Sequence, residues 1–378
     1  MKLGICCNFS YPSVGGSEIV IDHIALMMYY KYGMDVTIFS FSVQVDTSHD
    51  FATVSPCKRG ESFLRQINDL DHIFIYSDSF WEWKTILGNI DRVKPTISIV
   101  LLGMYDMLSN EKHFNLFKEN RKKIRVITHS NNYQDYKKCF KEGIPVTVIP
   151  NGVDKSVFDR VPPDFKLKYG ITTDYMLLNV GNFFYGKGQE YLADIGEKLA
   201  EKRYSKDFTI VSISNSVKYP HEQKLLDKTI KMLAVKSQPR QISMIKRSPG
   251  FEYKVLRNIP REDVLKAFCY SDVFVFTSTK EVAPLVLLES MASNLPWISL
   301  DVGNAETLVG GEVIKCRVRD GKTGHKIFNE TLAEKYADWI NHYLTKDREA
   351  LTDYIDKIVE DKYNWDNICE QYYNIFIS

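Results

Sequence analysis

Residues 277–296 read TSTKEVAPLVLLESMASNLP, and the rest of the chain can be read outward from them. Directly before them stand Val273, Phe274, Val275 and Phe276, a short apolar run of the kind that forms a parallel strand covered on both faces. A polar turn, Thr277 to Lys280, follows. Pro284 marks a helix start, because proline is favoured at the first helical position. A strand, a turn and a helix start in that order make the place where an open α/β sheet takes ligands. The free N–H groups and the dipole at such a helix start suit a phosphate. Glu281 lies in the loop and Glu289 inside the helix, with seven residues between them. Ionised carboxylates accept more than one hydrogen bond and can grip sugar hydroxyls.

The chain of 378 residues is longer than one ordinary core and suits two domains. Hydrophobic residues make up 44% and charged residues 26%, as in globular soluble proteins. The formal net charge of +1 gives no global field toward nucleic acid or membrane. The seven cysteines are scattered, and Cys6 and Cys7 are adjacent within an expected strand. They read as reduced, buried thiols of a cytoplasmic protein. Met1-Lys2-Leu3 leads straight into a strand without a signal-peptide pattern, and no run of about 18 apolar residues exists.

The first half alternates strands and helices, which implies a doubly wound parallel sheet. Strands are expected at Leu3–Cys7, Val36–Phe41, Ile73–Tyr76, Pro95–Leu102, Ile124–Thr128 and Val146–Ile149, at least six before residue 150. The loop after the first strand contains Gly15-Gly16, and Ser17 is expected to cap a helix that ends before Gly33. Paired glycines let backbone approach a ligand, but they are not the G-x-G-x-x-G fingerprint of a dinucleotide site. An aromatic helix is expected around Phe80, Trp81 and Trp83. Pro150-Asn151-Gly152-Val153-Asp154 is a turn-rich break between domains. A second alternating series starts at Tyr175–Gly181, followed by the loop Asn182 to Gly188. It continues with Thr209–Ile213, a helix at His221–Met232, an irregular basic stretch from Lys236 to Lys254, a strand end at Lys254–Arg257 and a helix opened by Pro260. Trp297–Leu300 is a further strand, and three helices finish the chain.

The block Glu281-x7-Glu289, Ser290-Met291-Ala292 and Pro296, together with Ile149-Pro150-Asn151-Gly152-Val153-Asp154, closely resembles the signature of retaining family-4 glycosyltransferases. The resemblance covers nearly the whole chain and is strongest from Tyr175 to Gly311. It implies the GT-B architecture: two Rossmann-like domains with doubly wound parallel sheets, facing across a cleft. Residues 1–152 would form an acceptor domain, onto which a last helix at about 362–378 packs back, and 153–361 a donor domain for the nucleotide-sugar. It implies transfer of a hexosyl group to an acceptor hydroxyl with retention at the anomeric carbon, the acceptor being a saccharide or lipid-linked saccharide. Lys187 would bind the donor diphosphate, with Asn182 standing where relatives carry an arginine. The amides of Ala283, Pro284 and Leu285 would assist, although relatives are Gly-rich there and proline has no N–H. Glu289 would bind the ribose diol and Glu281 the transferring sugar. Gly15 and Gly16 would face the donor phosphates, and Arg257 the nucleotide base. Gly103 occupies the region where relatives carry a histidine, so the catalytic candidates of the first domain are Asp106 and His129, with Asp78 beside them.

No histidine pairs with cysteine or carboxylate at a metal-ligand spacing. The Asp69-Leu70-Asp71 triplet lies far from any phosphate signal, and no metal or other cofactor is expected. Gly321-Lys322-Thr323 lacks the glycine a P-loop requires. Lys118, Arg121, Lys122, Lys123 and Arg125 form a basic cluster continued by Lys137, Lys138 and Lys141, with Tyr133 and Tyr136 among them. It is a candidate surface for a polyanionic partner, a membrane surface or DNA, which would make the protein peripheral to the membrane. Other readings are the same transfer onto hydroxymethylated DNA bases, a nucleotide-sugar epimerase, and a non-catalytic sugar-nucleotide-binding protein.

Overall fold

The structure, a computed structural model, describes all residues except 8–14, 42–46, 77–84, 103–110, 133, 160, 184–185, 203–206, 215–241, 249, 322–324 and 346–351. The chain divides into two compact units. One comprises Met1–Gly152 with Lys362–Ser378, the other Val153–Asp361.

The first unit is built on β1 (Lys2–Cys7), β2 (Asp35–Ser40), β3 (Thr47–His49), β4 (Ala52–Pro56), β5 (His72–Tyr76), β6 (Thr96–Leu101), β7 (Ile124–Thr128) and β8 (Val146–Val148). They form one sheet in the order β3-β4-β2-β1-β5-β6-β7-β8. Every neighbouring pair is parallel except β3 with β4. The helices α1 (Gly16–Tyr30), α2 (Gly60–Ile67), α3 (Glu111–Glu119) and α4 (Gln134–Lys141) belong to this unit. Among the described residues the sheet holds eight strands, two of them unforeseen. The Thr47–His49 strand is short and polar, and the Ala52–Pro56 strand, although it alternates apolar and polar residues, is only five residues long and ends in proline. Helix α1 starts one residue earlier than Ser17, with Gly15 as its N-cap in an extended conformation. The aromatic stretch at Phe80 to Trp83 lies outside the described residues.

The C-terminal helix Trp365–Ile377 completes this core. Asn364 caps it, accepting from the Asp366 amide at 2.7 Å. Its buried face, Trp365, Ile368, Cys369, Tyr372 and Phe376, recurs at helical spacing. Trp365 stacks on His23 at 4.6 Å and Tyr373 on Tyr32 at 3.9 Å between ring centroids. Tyr372 and Phe376 meet Phe74 of β5 at 5.4 and 5.2 Å.

The second unit carries α5 (Phe165–Lys168), α6 (Leu192–Lys202), α7 (Arg261–Tyr270), α8 (Leu285–Ala292), α9 (Glu330–Thr345) and α10 (Thr352–Ile358). Its strands are β9 (Tyr175–Val180), β10 (Phe208–Ser214), β11 (Ile242–Ser248), β12 (Phe251–Arg257), β13 (Val273–Phe276), β14 (Trp297–Leu300) and β15 (Gly311–Ile314). The sheet order is β11-β12-β10-β9-β13-β14-β15. All pairs are parallel except β11 with β12. The region read as irregular between Lys236 and Lys254 therefore contributes an antiparallel edge strand, while His221–Met232 lies outside the described residues. β10 and β13 are buried along their whole length, as parallel strands covered on both faces must be. The chain runs from β9 out to β10 and β12, then returns to β13 on the other side of β9. That reversal is a topological switch point, and it opens a crevice beyond the carboxyl ends of β9 and β13.

Phe376→Ala should destabilise the first unit by about 3–5 kcal/mol, since it removes a buried phenylalanine from the core beneath β5. Urea unfolding followed separately for each unit should shift the midpoint of the first and leave the second in place.

Candidate active site

Two loops leave the switch point of the second unit. The first, Gly181 to Gly188, follows β9; the second, Thr277 to Pro284, follows β13. They are bound to each other through backbone. The Thr279 amide donates to the Gly186 carbonyl at 2.7 Å and the Thr279 hydroxyl to the same oxygen at 3.0 Å. The Thr277 hydroxyl donates to the Lys187 carbonyl at 3.2 Å. Gly188 has φ +74, and a Cβ there would lie 2.2 Å from the Thr277 carbonyl oxygen. Only glycine permits both that conformation and that approach. Gln189, buried just after the loop, donates to the carbonyls of Gly181 and Asn182 at 3.0 and 2.9 Å. Asn182 is left exposed at the loop surface.

These contacts bring the sequence-selected charges together. Lys187 Nζ lies 2.6 Å from Glu281 Oε1, and the Ser278 hydroxyl donates to the same oxygen at 2.6 Å. Glu289 faces another partner. It is buried in α8 and ion-paired with Arg261 in the first turn of α7. Pro284 is the N-cap of α8, and the helix begins at Leu285, one residue later than the sequence suggests. Ala283 lies in the turn before it. Arg257 stands at the end of β12, its Nε buried without a hydrogen-bond partner among the described residues.

Two residues at this site escaped the sequence reading. Arg261 was legible only as part of a helix opening. Its signal was a cation at the positive end of a helix dipole, where acids are favoured. His325 Nδ1 meets the Thr279 hydroxyl at 2.8 Å, and its ring lies against Gly186, where a Cβ would come 2.2 Å from His325 Cε1. Burial, then Lys280, holds its pKa below the usual histidine value. It arrives from a separate segment, bridged at Arg319 and Lys326, and nothing local in the sequence announces it.

The remaining candidates lie in the first unit. Gly15 and Gly16 begin α1, but the Glu18 carboxylate already sits over Gly15, where a Cβ would fall 2.4 Å from Glu18 Oε2. An acid of the chain thus stands at this helix start, which weakens it as a phosphate site. His129 is corrected to a core residue. It is buried, its Nδ1 donates to the Ile149 carbonyl at 2.9 Å, and the Tyr76 hydroxyl donates to its Nε2 at 2.8 Å. Burial lowers its pKa to about 4, so it is neutral and fully engaged at neutral pH. Asp78 and Asp106 lie outside the described residues. Asp71 accepts from the Lys2 amide at 2.7 Å. Among the described residues no group of three or more His, Cys, Asp or Glu is placed to hold a metal ion, and no helix is long and apolar enough to cross a membrane. The basic cluster is partly neutralised internally. Lys118 pairs with Glu142, Lys123 lies 3.4 Å from Asp91, and Lys138 sits 4.2 Å over the Phe114 ring.

The site's geometry can be set beside known proteins. The family described as Glycosyl transferases group 1 matches residues 163–358, more than half of the chain. The N-acetyl-alpha-D-glucosaminyl L-malate synthase of Bacillus anthracis is 24% identical over 352 residues, covering 85% of this chain and 84% of that protein. Among solved structures, the sucrose-phosphate synthase of Thermosynechococcus elongatus has a TM-score of 0.72 at 14% identity, over 99% of this chain and 98% of that one. Anabaena Alr3699/HepE in complex with UDP has a TM-score of 0.68 at 15% identity, over 99% of both chains. An alpha,alpha-trehalose-phosphate synthase (UDP-forming) of Burkholderia xenovorans, in complex with glucose-6-phosphate, reaches 0.73 at 11% identity over the whole of both chains. The architecture is that of the GT-B glycosyltransferases. The chain belongs to the group 1 glycosyl transferases, and its activity is glycosyl transfer.

Two outcomes test this description. Gly188→Ala should abolish activity, because it forces the two loops apart; a variant that retains wild-type turnover would contradict the packing. In the first unit, His72 (about 3) and His129 (about 4) are held well below their usual pKa, chiefly by burial. Both take up a proton on unfolding below about pH 6.5 but not in the folded state until pH 3–4. Stability should therefore be complete above about pH 6.5 and fall as pH drops toward 4, by about 3 kcal/mol for His129 alone. His129→Gln should flatten that acid slope in unfolding midpoints taken from pH 7.5 to 4.5.

Proposed function

We propose that the second unit binds a nucleotide-sugar and that the enzyme transfers the sugar, with retention and without a metal ion, to a hydroxyl of a saccharide or lipid-linked saccharide held by the first unit. The observation that carries this reading is the convergence of Lys187 and Glu281 at the switch point between β9 and β13, 2.6 Å apart. A cation there can turn to the diphosphate of the donor, while the carboxylate it leaves accepts hydrogen bonds from the transferring sugar. Glu289 would take the ribose hydroxyls and Arg257 the base. Asn182, exposed on the loop, would offer a neutral donor where a charged one is usual, a weaker contact. The positive charge that offsets the departing diphosphate would come from Lys187 and the amides at the start of α8 rather than from a divalent ion.

The relatives' names give this reading its range. They include a synthase named for a glucosaminyl malate and enzymes named for phosphorylated disaccharides, and one structure is a complex with UDP. The chemistry needs no protein nucleophile on this view. Positioning of donor and acceptor, with electrostatic support of the leaving diphosphate, would account for the acceleration.

A thermal-shift panel of UDP-, GDP-, dTDP- and ADP-sugars, with and without EDTA, should single out one nucleotide whose stabilisation EDTA leaves unchanged. Lys187→Met and Glu289→Gln should each weaken that nucleotide roughly 10- to 100-fold, the range for losing a charge-assisted hydrogen bond. Proton NMR of the product should show the donor's anomeric configuration. Inversion, or loss of activity with EDTA that added Mg²⁺ restores, would refute the corresponding part of the proposal.

A further inference from the structure

We infer that Arg261 is a positioning residue that holds the Glu289 carboxylate for the hydroxyls of the donor's ribose and so sets a preference for ribonucleotides, an inference that rests on the reading of Glu289 given above. Three observations lead to it. Arg261 occupies the first turn of α7, where the helix dipole disfavours a cation. Its neighbours Glu262 and Asp263 are the residue types expected there, so the arginine needs a compensating partner. Glu289 is that partner. Its side chain is 7% exposed, and a carboxylate so buried costs free energy unless it is paired and hydrogen-bonded. Among the described residues, Arg261 is the only side chain that pairs with it. The contact uses Oε1, which leaves the second oxygen of the carboxylate for a ligand.

The backbone that delivers Arg261 is itself constrained. Asn258 adopts φ 52 just past β12, and its amide donates to the Ser214 carbonyl at 3.0 Å. Pro260 is the N-cap of α7, and its carbonyl accepts from the amides of Asp263 and Val264. The guanidinium is thus carried on a short, stiff connection from the sheet rather than on a long loop. Its side chain is 38% exposed, so it reaches from the protein surface to the buried acid. One guanidinium nitrogen meets one carboxylate oxygen, and a charge-assisted hydrogen bond of that kind restricts how the carboxylate turns. A site built to hydrogen-bond a hydroxyl discriminates against the analogue that lacks it. The pair therefore has a measurable signature beyond stability.

The test measures calorimetric dissociation constants of wild type, Arg261→Lys, Arg261→Met and Glu289→Gln for UDP against 2′-deoxy-UDP, or for GDP against 2′-deoxy-GDP if the protein selects guanine. Wild type should prefer the ribose form by roughly tenfold, the worth of one good hydrogen bond to a charged group. Arg261→Met should bring that ratio close to one and raise the donor KM roughly tenfold with little change in kcat. Arg261→Lys should keep the wild-type melting temperature and show a ratio between the two. It also serves as the decisive variant should the methionine protein fail to fold. Glu289→Gln should match Arg261→Met in its ratio. A lowered melting temperature with an unchanged ratio in both arginine variants would overturn the inference and reduce Arg261 to a structural counterion. A wild type that binds the nucleotide without ribose preference would overturn it together with the role given to Glu289. A wild type that binds no nucleotide at all would refute the donor reading, and this inference with it.

Discussion

The site of the second unit depends on the close approach of two backbone segments, Gly186–Gly188 and Thr277–Thr279. One carbonyl, that of Gly186, receives both donors of Thr279, and the Gly188 position leaves no room for a side chain. These are contacts between residues some 90 positions apart, as the 94-residue separation of Lys187 and Glu281 also records. They accompany the parallel pairing of β13 with β9 in the sheet. The parallel topology thus sets the spacing of the loops, and the loops set the spacing of the charges.

Both signature carboxylates are neutralised by the chain's own cations, Glu281 by Lys187 and Glu289 by Arg261. Such pairs matter less as sources of stability than as organisers. Burying a charge alone is costly, and a buried pair roughly offsets that cost. A bound diphosphate would compete with Glu281 for Lys187, and ribose hydroxyls would share Glu289 with Arg261. Each pair thus keeps an acid and a base in place at neutral net charge.

The alternating, strand-forming core was legible because buried parallel strands are nearly continuous apolar runs. Val273–Phe276 and Trp297–Leu300 stand where their sequence places them. Lys187, Glu281 and Glu289 could be singled out because each sits in a short local pattern beside a strand. The strands at Thr47–His49, Ala52–Pro56 and Ile242–Ser248 were not legible. Thr47–His49 and Ile242–Ser248 lie at sheet edges and Ala52–Pro56 is a five-residue strand beside one; such strands owe their form to their neighbours rather than to their own composition. Arg261 and His325 were missed for a related reason. Their roles come from partners 28 and 46 residues away, and a single sequence carries no trace of such pairings. His129 shows the reverse case, a residue type often used in catalysis that burial and two internal hydrogen bonds assign to the core.

The helix Trp365–Ile377 belongs to the first unit although the whole of Val153–Asp361 separates it from the rest of that unit. During synthesis from the N-terminus, the sheet of the first unit is made long before the helix that covers Phe74 and stacks on His23. At ribosomal rates of roughly 5–20 residues per second, the intervening unit takes about 10–40 s to emerge. For that interval an apolar face of the nascent first unit is without its cover, while the second unit can fold as a contiguous segment. Vectorial synthesis thus favours completion of the later unit first, and the exposed face of the earlier one is a surface for chaperones to guard.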